Sequence, residues 1–326
     1  MRIIFFGTPG FAANNLQFLI ESGYDIVAVV TATDSRKGRG KQLKATAVKK
    51  LALENNISVL QPENLKDATF IRELKSYTAD LYVVVAFRML PEIVWKIPEK
   101  GSINLHTSLL PNYRGAAPIN RVLINGENKT GITTFFIDQQ IDSGAIIMQE
   151  EVELSKQTTA AQLHNILMEK GSVLLHNTVH AIEHNLLSQK VQNHDTSMQE
   201  APKLTKELLK IDWTQSADDI HNLVRGLSPY LDVNSLLKDV AICPSAWFTL
   251  QDENREDKRI KLQLTKIEST TKNNRLAIDT DNKSYLTITL GDKALSILNL
   301  QAEGKNPMSI AQFLQGNKLN DNFKIL

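Results

Sequence analysis

Four short runs limit what this chain can fold into. RIIFF (residues 2–6), DIVAVVT (25–31), ISVL (57–60) and LYVVVAF (81–87) are of strand length and continuously apolar or nearly so. A strand with one solvated face alternates apolar with polar side chains, whereas an unbroken run is buried on both faces. Such strands lie inside a sheet covered by helices on both sides. Helix-like segments separate them here: FAANNLQFLIESG, with Gly23 as a stop, then Ala45 to Asn55 and Ala68 to Tyr77. SINLHT (102–107) adds a further strand. The pattern predicts an α/β chain built on a Rossmann-like, mostly parallel, doubly wound sheet.

Further along, ITTFFID and AIIMQEEVEL read as two more strands and 158–185 as a long helix. The polar stretch SQKVQNHDTSMQEAPKL has little periodicity and reads as a linker. After a helix over 217–225, five short strands (AWFTL, IKLQLTKI, RLAID, YLTITL, ALSILNL) separated by polar turns predict a small C-terminal β-barrel of OB-like type. For 326 residues two domains are the default expectation. The boundaries fall at 1–187 for a catalytic domain, 188–204 for the linker and 205–326 for the barrel.

Composition narrows the function classes. A lone cysteine, Cys243, cannot form an internal disulfide and no Cys/His spacing resembles a zinc site, which favours a reducing, cytoplasmic setting with no metal. The opening MRIIFFGTPGF has an apolar run too short for a secretory signal, and no run approaches about 18 apolar residues, so no membrane association is expected. Net charge is only +1, so a nucleic-acid partner has to be met by a local patch. One is present in DSRKGRGKQLKATAVKK: seven basic residues (Arg36, Lys37, Arg39, Lys41, Lys44, Lys49, Lys50) against the single acid Asp34.

The stretch INLHTSLLPNYRGAAP carries the chemistry. On a strand, side chains two apart share a face, so Asn104 and His106 point together, at the strand end where open α/β sheets bind ligands. In IDQQIDSGA, Asp138 and Asp142 lie in a turn between strands, from which one of them could reach His106. An amide to stabilise an oxyanion, a histidine to handle charge or a proton, and a carboxylate to orient the histidine suit acyl transfer to an amine. The same residues are also open to plainer readings: a satisfied half-buried histidine, a turn amide and a turn acid.

Other features carry less. His176, His180 and His184 share one helix face, yet no Cys or carboxylate pair accompanies them. GTPG after the first strand lacks the third glycine of a dinucleotide fingerprint, and Pro9 removes an N–H that would face a phosphate, which argues against a nicotinamide or flavin cofactor.

The block NLHTSLLPNYRGAAPINRVLINGENKTGITTFFIDQQIDSGAI resembles the centre of the folate-dependent formyltransferases. RIIFFGTPGFAANNL resembles the family's opening, DSRKGRGKQLKATAVKKLA the tRNA-facing loop of its tRNA-acting branch, and APKLTKELLKIDW the start of that branch's C-terminal domain. The resemblance implies a formyl group donated by 10-formyltetrahydrofolate and accepted by the α-amino group of methionine on initiator tRNA. It implies Asn104, His106 and Asp142 as catalytic residues. It places folate contacts on the turn Ser108, Leu109, Leu110 and Pro111, on Phe87, Arg88, Met89 and Leu90, and near Asp138. Contacts with tRNA fall on Arg36, Lys37, Arg39 and Lys41, and a monomer is implied.

Three departures stand out. AFRMLP is shorter than the usual family form, in which a glycine and an extra aliphatic residue precede the proline. Ala145 stands where an acid often follows the Ser/Thr-Gly pair, and LDVNSLLKDVAIC is inserted before PSAWFTL. The rival readings are transfer to an amino-sugar nucleotide or to glycinamide ribonucleotide, and a noncatalytic RNA-binding protein on the same fold. From Lys203 onward 17 basic residues face 16 acidic ones, so any RNA contact there depends on arrangement.

Overall fold

A computed structural model describes residues 1–37, 42–193, 198–237, 241–251, 255–271, 276–319 and 324–326. The elements begin β1 (Arg2–Gly7), α1 (Gly10–Glu21), β2 (Asp25–Val30), β3 (Ser35–Lys37), β4 (Gln42–Lys44), α2 (Ala47–Glu54), β5 (Ser58–Leu60), α3 (Ala68–Ser76) and β6 (Leu81–Val85). Next come α4 (Glu92–Trp95), β7 (Ser102–His106), β8 (Arg114–Gly115), α5 (Pro118–Ile124), β9 (Lys129–Phe136), β10 (Ile146–Glu153), α6 (Ala160–Glu183) and β11 (Glu200–Ala201). The remainder is α7 (Ala217–Gly226), β12 (Ala246–Gln251), β13 (Asp257–Ser269), β14 (Ile278–Thr280), β15 (Leu286–Leu290), β16 (Lys293–Ala302), β17 (Met308–Ser309), α8 (Ile310–Gly316) and β18 (Lys324–Ile325).

The chain forms two compact units, one of residues 1–115, 130–152 and 165–200, the other of 116–129, 153–164 and 201–326. Thus two segments within the expected 1–187 domain cluster with the C-terminal unit. Buried polar bonds account for this. The Asn120 amide donates to the carbonyls of Gly226 and Ile242, both at 2.7 Å, and Thr159 Oγ1 donates to that of Tyr230 at 2.6 Å.

In the first unit the sheet runs β10-β9-β7-β6-β1-β2-β5. From β5 to β7 every pairing is parallel, and β9 joins β7 antiparallel. The central strands β1 and β6 are covered on both faces, with Ile3, Ile4, Phe5, Phe6, Leu81, Tyr82 and Val83 all at 0 % exposure, whereas the edge strand β5 is only partly buried. Each such side chain contributes about 1.5–3 kcal/mol of burial, so the central strands dominate the stability of the unit. Strand order reverses at β1, which opens a crevice at the carboxyl ends of β1 and β6.

In the second unit β14-β15-β16-β13-β12-β18 form an antiparallel half-barrel, with β17 added on β16. Its core gathers Trp213, Val224, Phe248, Leu262 and Ile297, with the Trp213 and Phe248 rings edge-on at 5.2 Å. The insertion after Tyr230 is no helix in its described part. Asp232 Oδ1 accepts from the amides of Asn234 (2.8 Å) and Ser235 (2.9 Å), and the Gln162 amide donates to the Leu231 carbonyl at 2.6 Å.

Two basic groups of α7 are buried in this unit, and among the described residues no carboxylate is bonded to either. Arg225 donates to Asn222 Oδ1 at 2.8 Å and to the Thr158 carbonyl at 3.2 Å, and burial pulls its guanidinium down to about 10. His221 meets Thr265 Oγ1 at 2.9 Å and the Lys156 carbonyl at 3.0 Å. Burial lowers its pKa, the Lys156 carbonyl partly opposes this, and the Arg225 charge adds to the lowering. A depressed histidine is neutral in the folded chain, while the unfolded chain takes up a proton below about pH 6.5. The His221 contribution is therefore complete above that pH and is lost as pH falls toward the folded-state value. The midpoint of thermal unfolding of the C-terminal unit should fall between pH 7 and pH 5, and His221→Gln should flatten that dependence, as read by calorimetry at several pH values.

Candidate active site

Strand β7 places the site. Ile103 and Leu105 are buried at 0 % and 4 %, whereas Asn104 and His106 project from the opposite face, Asn104 half-buried and His106 at 6 %. Across the sheet Val84 is level with Asn104 and Val85 with Leu105, so the chain leaving β6 at Ala86 begins beside His106.

His106 is held from two directions. Its Nε2 lies 2.9 Å from the Tyr113 carbonyl oxygen, which can only accept, so Nε2 carries a proton and donates. Its Nδ1 faces Asp142 Oδ2 at 3.7 Å, an ion-pair distance rather than a hydrogen bond. That leaves Nδ1, beside a carboxylate, as the nitrogen at which a proton can come and go. Asn104, which shares the face, makes no hydrogen bond through its side chain among the described residues.

Asp142 is fixed by more than His106. Its Oδ2 accepts from the Gly115 amide at 2.9 Å, and its backbone takes the left-handed conformation at φ 53°. Gln192 secures the loop from outside: its amide donates to the carbonyls of Asp142 (3.0 Å) and Gly144 (2.7 Å), and its Oε1 accepts from Arg114 Nη2 at 2.7 Å. Asp138 does not join His106. It accepts from Ser143 Oγ at 2.6 Å and from the Gln140 amide at 3.0 Å, closing the turn. Gly144 is obligatory there, because a Cβ would lie 1.7 Å from the Phe136 carbonyl oxygen.

The turn 108–111 is equally constrained. The Leu110–Pro111 peptide is cis, and Ser108 Oγ donates to the Asn112 carbonyl at 2.7 Å. Thr133 Oγ1 donates to the Ser108 carbonyl (2.6 Å) and accepts from the Leu110 amide (3.2 Å), while the Gln149 amide donates to the Leu110 carbonyl (2.9 Å). Leu110 is buried, and Leu109 and Pro111 are half-buried.

In the segment after β6, Leu90 is core, Phe87 packs edge-on to Phe6 at 5.8 Å, and Met89 is 76 % exposed. Arg88 donates to the carbonyls of Pro62 and Glu63. Thr8, Ala32, Thr33, Pro62, Glu63, Ala86, Phe87 and Arg88 line a cleft of about 300 Å³ at the switch point.

Of the basic run, Arg36 and Lys37 lie on β3, paired to Leu43 and Gln42 of β4. Arg39 and Lys41 fall outside the described residues. Lys49 is engaged with Asp34 at 2.7 Å. The rings of His180 on α6 and His184 just past its end are 4.4 Å apart.

Tyr113, Gln192, Thr133 and Gln149 support the site and were not singled out in the sequence. Polar threonines inside the apolar GITTFF strand were the available signal for Thr133. Gln192 had none. It sits in the stretch read as a linker, whose described residues make backbone bonds to the rest of their unit: Lys190 pairs with Ile146 and the Tyr113 amide donates to the Gln199 carbonyl at 2.6 Å.

Family models for formyl transferase and for the formyl transferase C-terminal domain match residues 1–179 and 203–318. The methionyl-tRNA formyltransferase of Flavobacterium johnsoniae is 45% identical over 325 residues, covering 100% of this chain and 99% of that protein. The protein of the same name from Bacteroides thetaiotaomicron is 39% identical over 331 residues, covering 100% and 98%. Among solved structures, a sugar 3N-formyl transferase with dTDP and 5-N-formyl-THF shares the fold at a TM-score of 0.63, 20% identity and 94% and 99% coverage. An N-formyltransferase from Helicobacter canadensis, with folinic acid and dTDP-3-aminofucose, shares it at 0.62, 19% identity and 90% and 98% coverage.

The Gln192 bond to Gly144 is buried and that to Asp142 partly so, and their loss leaves two carbonyls of the Asp142 loop without this donor. Gln192→Ala should cost about 2–3 kcal/mol of stability. It should also speed proteolytic cleavage within 138–144, measured by denaturant titration and limited digestion respectively.

Proposed function

Because the chain belongs to the methionyl-tRNA formyltransferase family, we propose that Asn104, His106 and Asp142 carry out formyl transfer to the α-amino group of methionine on initiator tRNA. One observation carries this assignment: His106 is anchored through Nε2, faces Asp142 through Nδ1, and shares its strand face with Asn104.

The donor, 10-formyltetrahydrofolate, supplies an activated formyl carbon. Exposed apolar side chains suit its ring system in both wall segments, Met89 at 76 % after β6 and Ile141 at 63 % in the loop before Asp142. The turn Ser108 to Pro111, the backbone of Phe87, Arg88 and Leu90, and the Asp138 loop complete the proposed folate contacts. Bound groups rest against a rigid turn, since Thr133 and Gln149 already satisfy its backbone.

The amine attacks the formyl carbon and the Asn104 amide donates to the formyl oxygen as negative charge develops on it; collapse of the adduct breaks the bond to N10 of the folate, which takes up a proton and leaves as tetrahydrofolate. His106 supplies positive charge and a proton path at Nδ1, and Asp142 holds the ring and receives the amine proton, directly or through water. The Asp142 carboxylate keeps its place during this exchange because the Gly115 amide also holds it.

Arg36, Lys37, Arg39 and Lys41 form the proposed phosphate-tracking element, which lets a chain of net charge +1 meet an acceptor stem. The C-terminal unit, with the domain division at 188–204, is proposed as the second tRNA contact, in a monomer working in the cytoplasm. No helix among the described residues is long and apolar enough to cross a membrane.

A formyl-transfer assay offering methionyl initiator tRNA, an amino-sugar nucleotide and glycinamide ribonucleotide in parallel tests the acceptor; product from tRNA alone is expected. His106→Ala should lower kcat/KM by about 10²–10⁴-fold, and retention of more than half the activity would remove His106 from the mechanism. Neutralising Arg39 and Lys41 together should reduce the slope of log affinity against log salt by about 1–2, roughly one for each phosphate no longer neutralised. Filter binding over a salt series reads that slope.

A further inference from the structure

The segment 61–63, which follows β5, is gripped at both ends. At one end the Gln61 amide donates to the Ala32 carbonyl (2.7 Å) and to Asp34 Oδ1 (2.8 Å), and Gln61 Oε1 accepts from Lys49 Nζ at 2.7 Å. Lys49 Nζ also lies 2.7 Å from Asp34 Oδ2, in a pair only 23 % and 18 % exposed. Asp34 immediately precedes β3 and Lys49 lies on α2, after β4, so the three side chains clasp the neck of the basic hairpin. The hydroxyls of Thr31 and Thr46, 2.8 Å apart, add a second tie across the same neck.

At the other end Arg88 reaches from the exit of β6. Its Nη1 donates to the Glu63 carbonyl at 2.8 Å and its Nη2 to the Pro62 carbonyl. A planar guanidinium can serve two carbonyls at once, which a lysine ammonium on a flexible stem does poorly. Arg88 belongs to the shortened AFRMLP segment, where this chain departs from the usual family form. The cleft of about 300 Å³ lies against this segment, with Pro62 and Glu63 on one wall and Phe87 and Arg88 on another.

We propose that Arg88 is a positioning residue for the acceptor: by locking 61–63 to the exit of β6, it sets the neck of the basic hairpin at a fixed place relative to the catalytic wall. The proposal rests on the reading of that hairpin as the tRNA contact. A hairpin held at its neck meets the acceptor with less ordering left to complete, and that saving appears as affinity. The Lys49 charge is retained in the clasp.

The test uses the full chain with Arg88→Ala, Arg88→Lys and Gln61→Ala. Hydrogen exchange reads the strut without any reference to activity. The amides of Thr31 and Ala32, which donate to the Leu60 carbonyl and Thr8 Oγ1 on the far side of the segment, should exchange about tenfold faster in Arg88→Ala, as expected for a locally loosened unit. Arg88→Lys should restore little of the protection. In kinetics, KM for methionyl-tRNA should rise by about five- to tenfold, more than kcat falls, and the Arg88→Ala, Gln61→Ala double variant should lose less than the sum of the singles in free-energy terms. Unchanged protection at Thr31 and Ala32 in Arg88→Ala, or full rescue by lysine, would overturn the strut. An unaltered chain that does not formylate tRNA would instead overturn the functional reading, and the exchange data would still decide the strut.

Discussion

The site depends on the grip on one imidazole. His106 sits at the end of a buried parallel strand, yet both groups that orient it, the Tyr113 carbonyl and the Asp142 carboxylate, come from loops. A parallel strand defines position along the sheet and which face a side chain takes, but not the rotation of a ring beyond its end. The loops supply that rotation. Each is in turn held by buried side chains: Thr133 and Gln149 under the turn 108–111, and Gln192 over the loop 138–144. The layers run from the sheet outward, and disturbing an outer one shifts the ring that the inner ones present.

Why polar groups do this in a buried setting follows from what they leave unpaired. A carbonyl inside the protein without a donor costs about 1–3 kcal/mol, so a glutamine that satisfies two of them specifies one loop conformation over its competitors. Gln192 does so for Asp142 and Gly144, and Arg114 then occupies its remaining oxygen. Gly144 removes the alternative in which a side chain meets the Phe136 carbonyl. The acid beside His106 is therefore placed by a cooperative set of contacts rather than by its own bond to the ring.

Much of this was legible in the sequence, and the boundary has a physical cause. Unbroken apolar runs read correctly as strands of a covered sheet, since burial on both faces leaves a direct compositional mark. The shared face of Asn104 and His106 followed from the two-residue period of a strand. Asp138 and Asp142 could not be told apart by spacing, because a turn has no period; the family resemblance points to Asp142, and the structure brings it to 3.7 Å from His106 while Asp138 closes on Ser143. Gln192 was invisible for a related reason: its partners lie about 50 residues away, and an aperiodic polar stretch gives no hint that one amide in it is 5 % exposed. The described part of the insertion after Tyr230 is likewise held by turn bonds at Asp232 that any polar loop sequence could offer.

The interleaving of the two units sets a schedule for the nascent chain. Asn120 is synthesised 106 residues before Gly226, whose carbonyl it serves within the C-terminal unit. At about 5–20 residues per second, its partner emerges from the ribosome some 5–20 s later. For that interval α5 has its own hydrogen bonds but not the α7 surface it belongs with, so its apolar side and its amide must wait in solvent or in temporary contacts. A unit that completes itself with segments translated early is assembled only when the last third of the chain arrives, however soon the parallel sheet has closed.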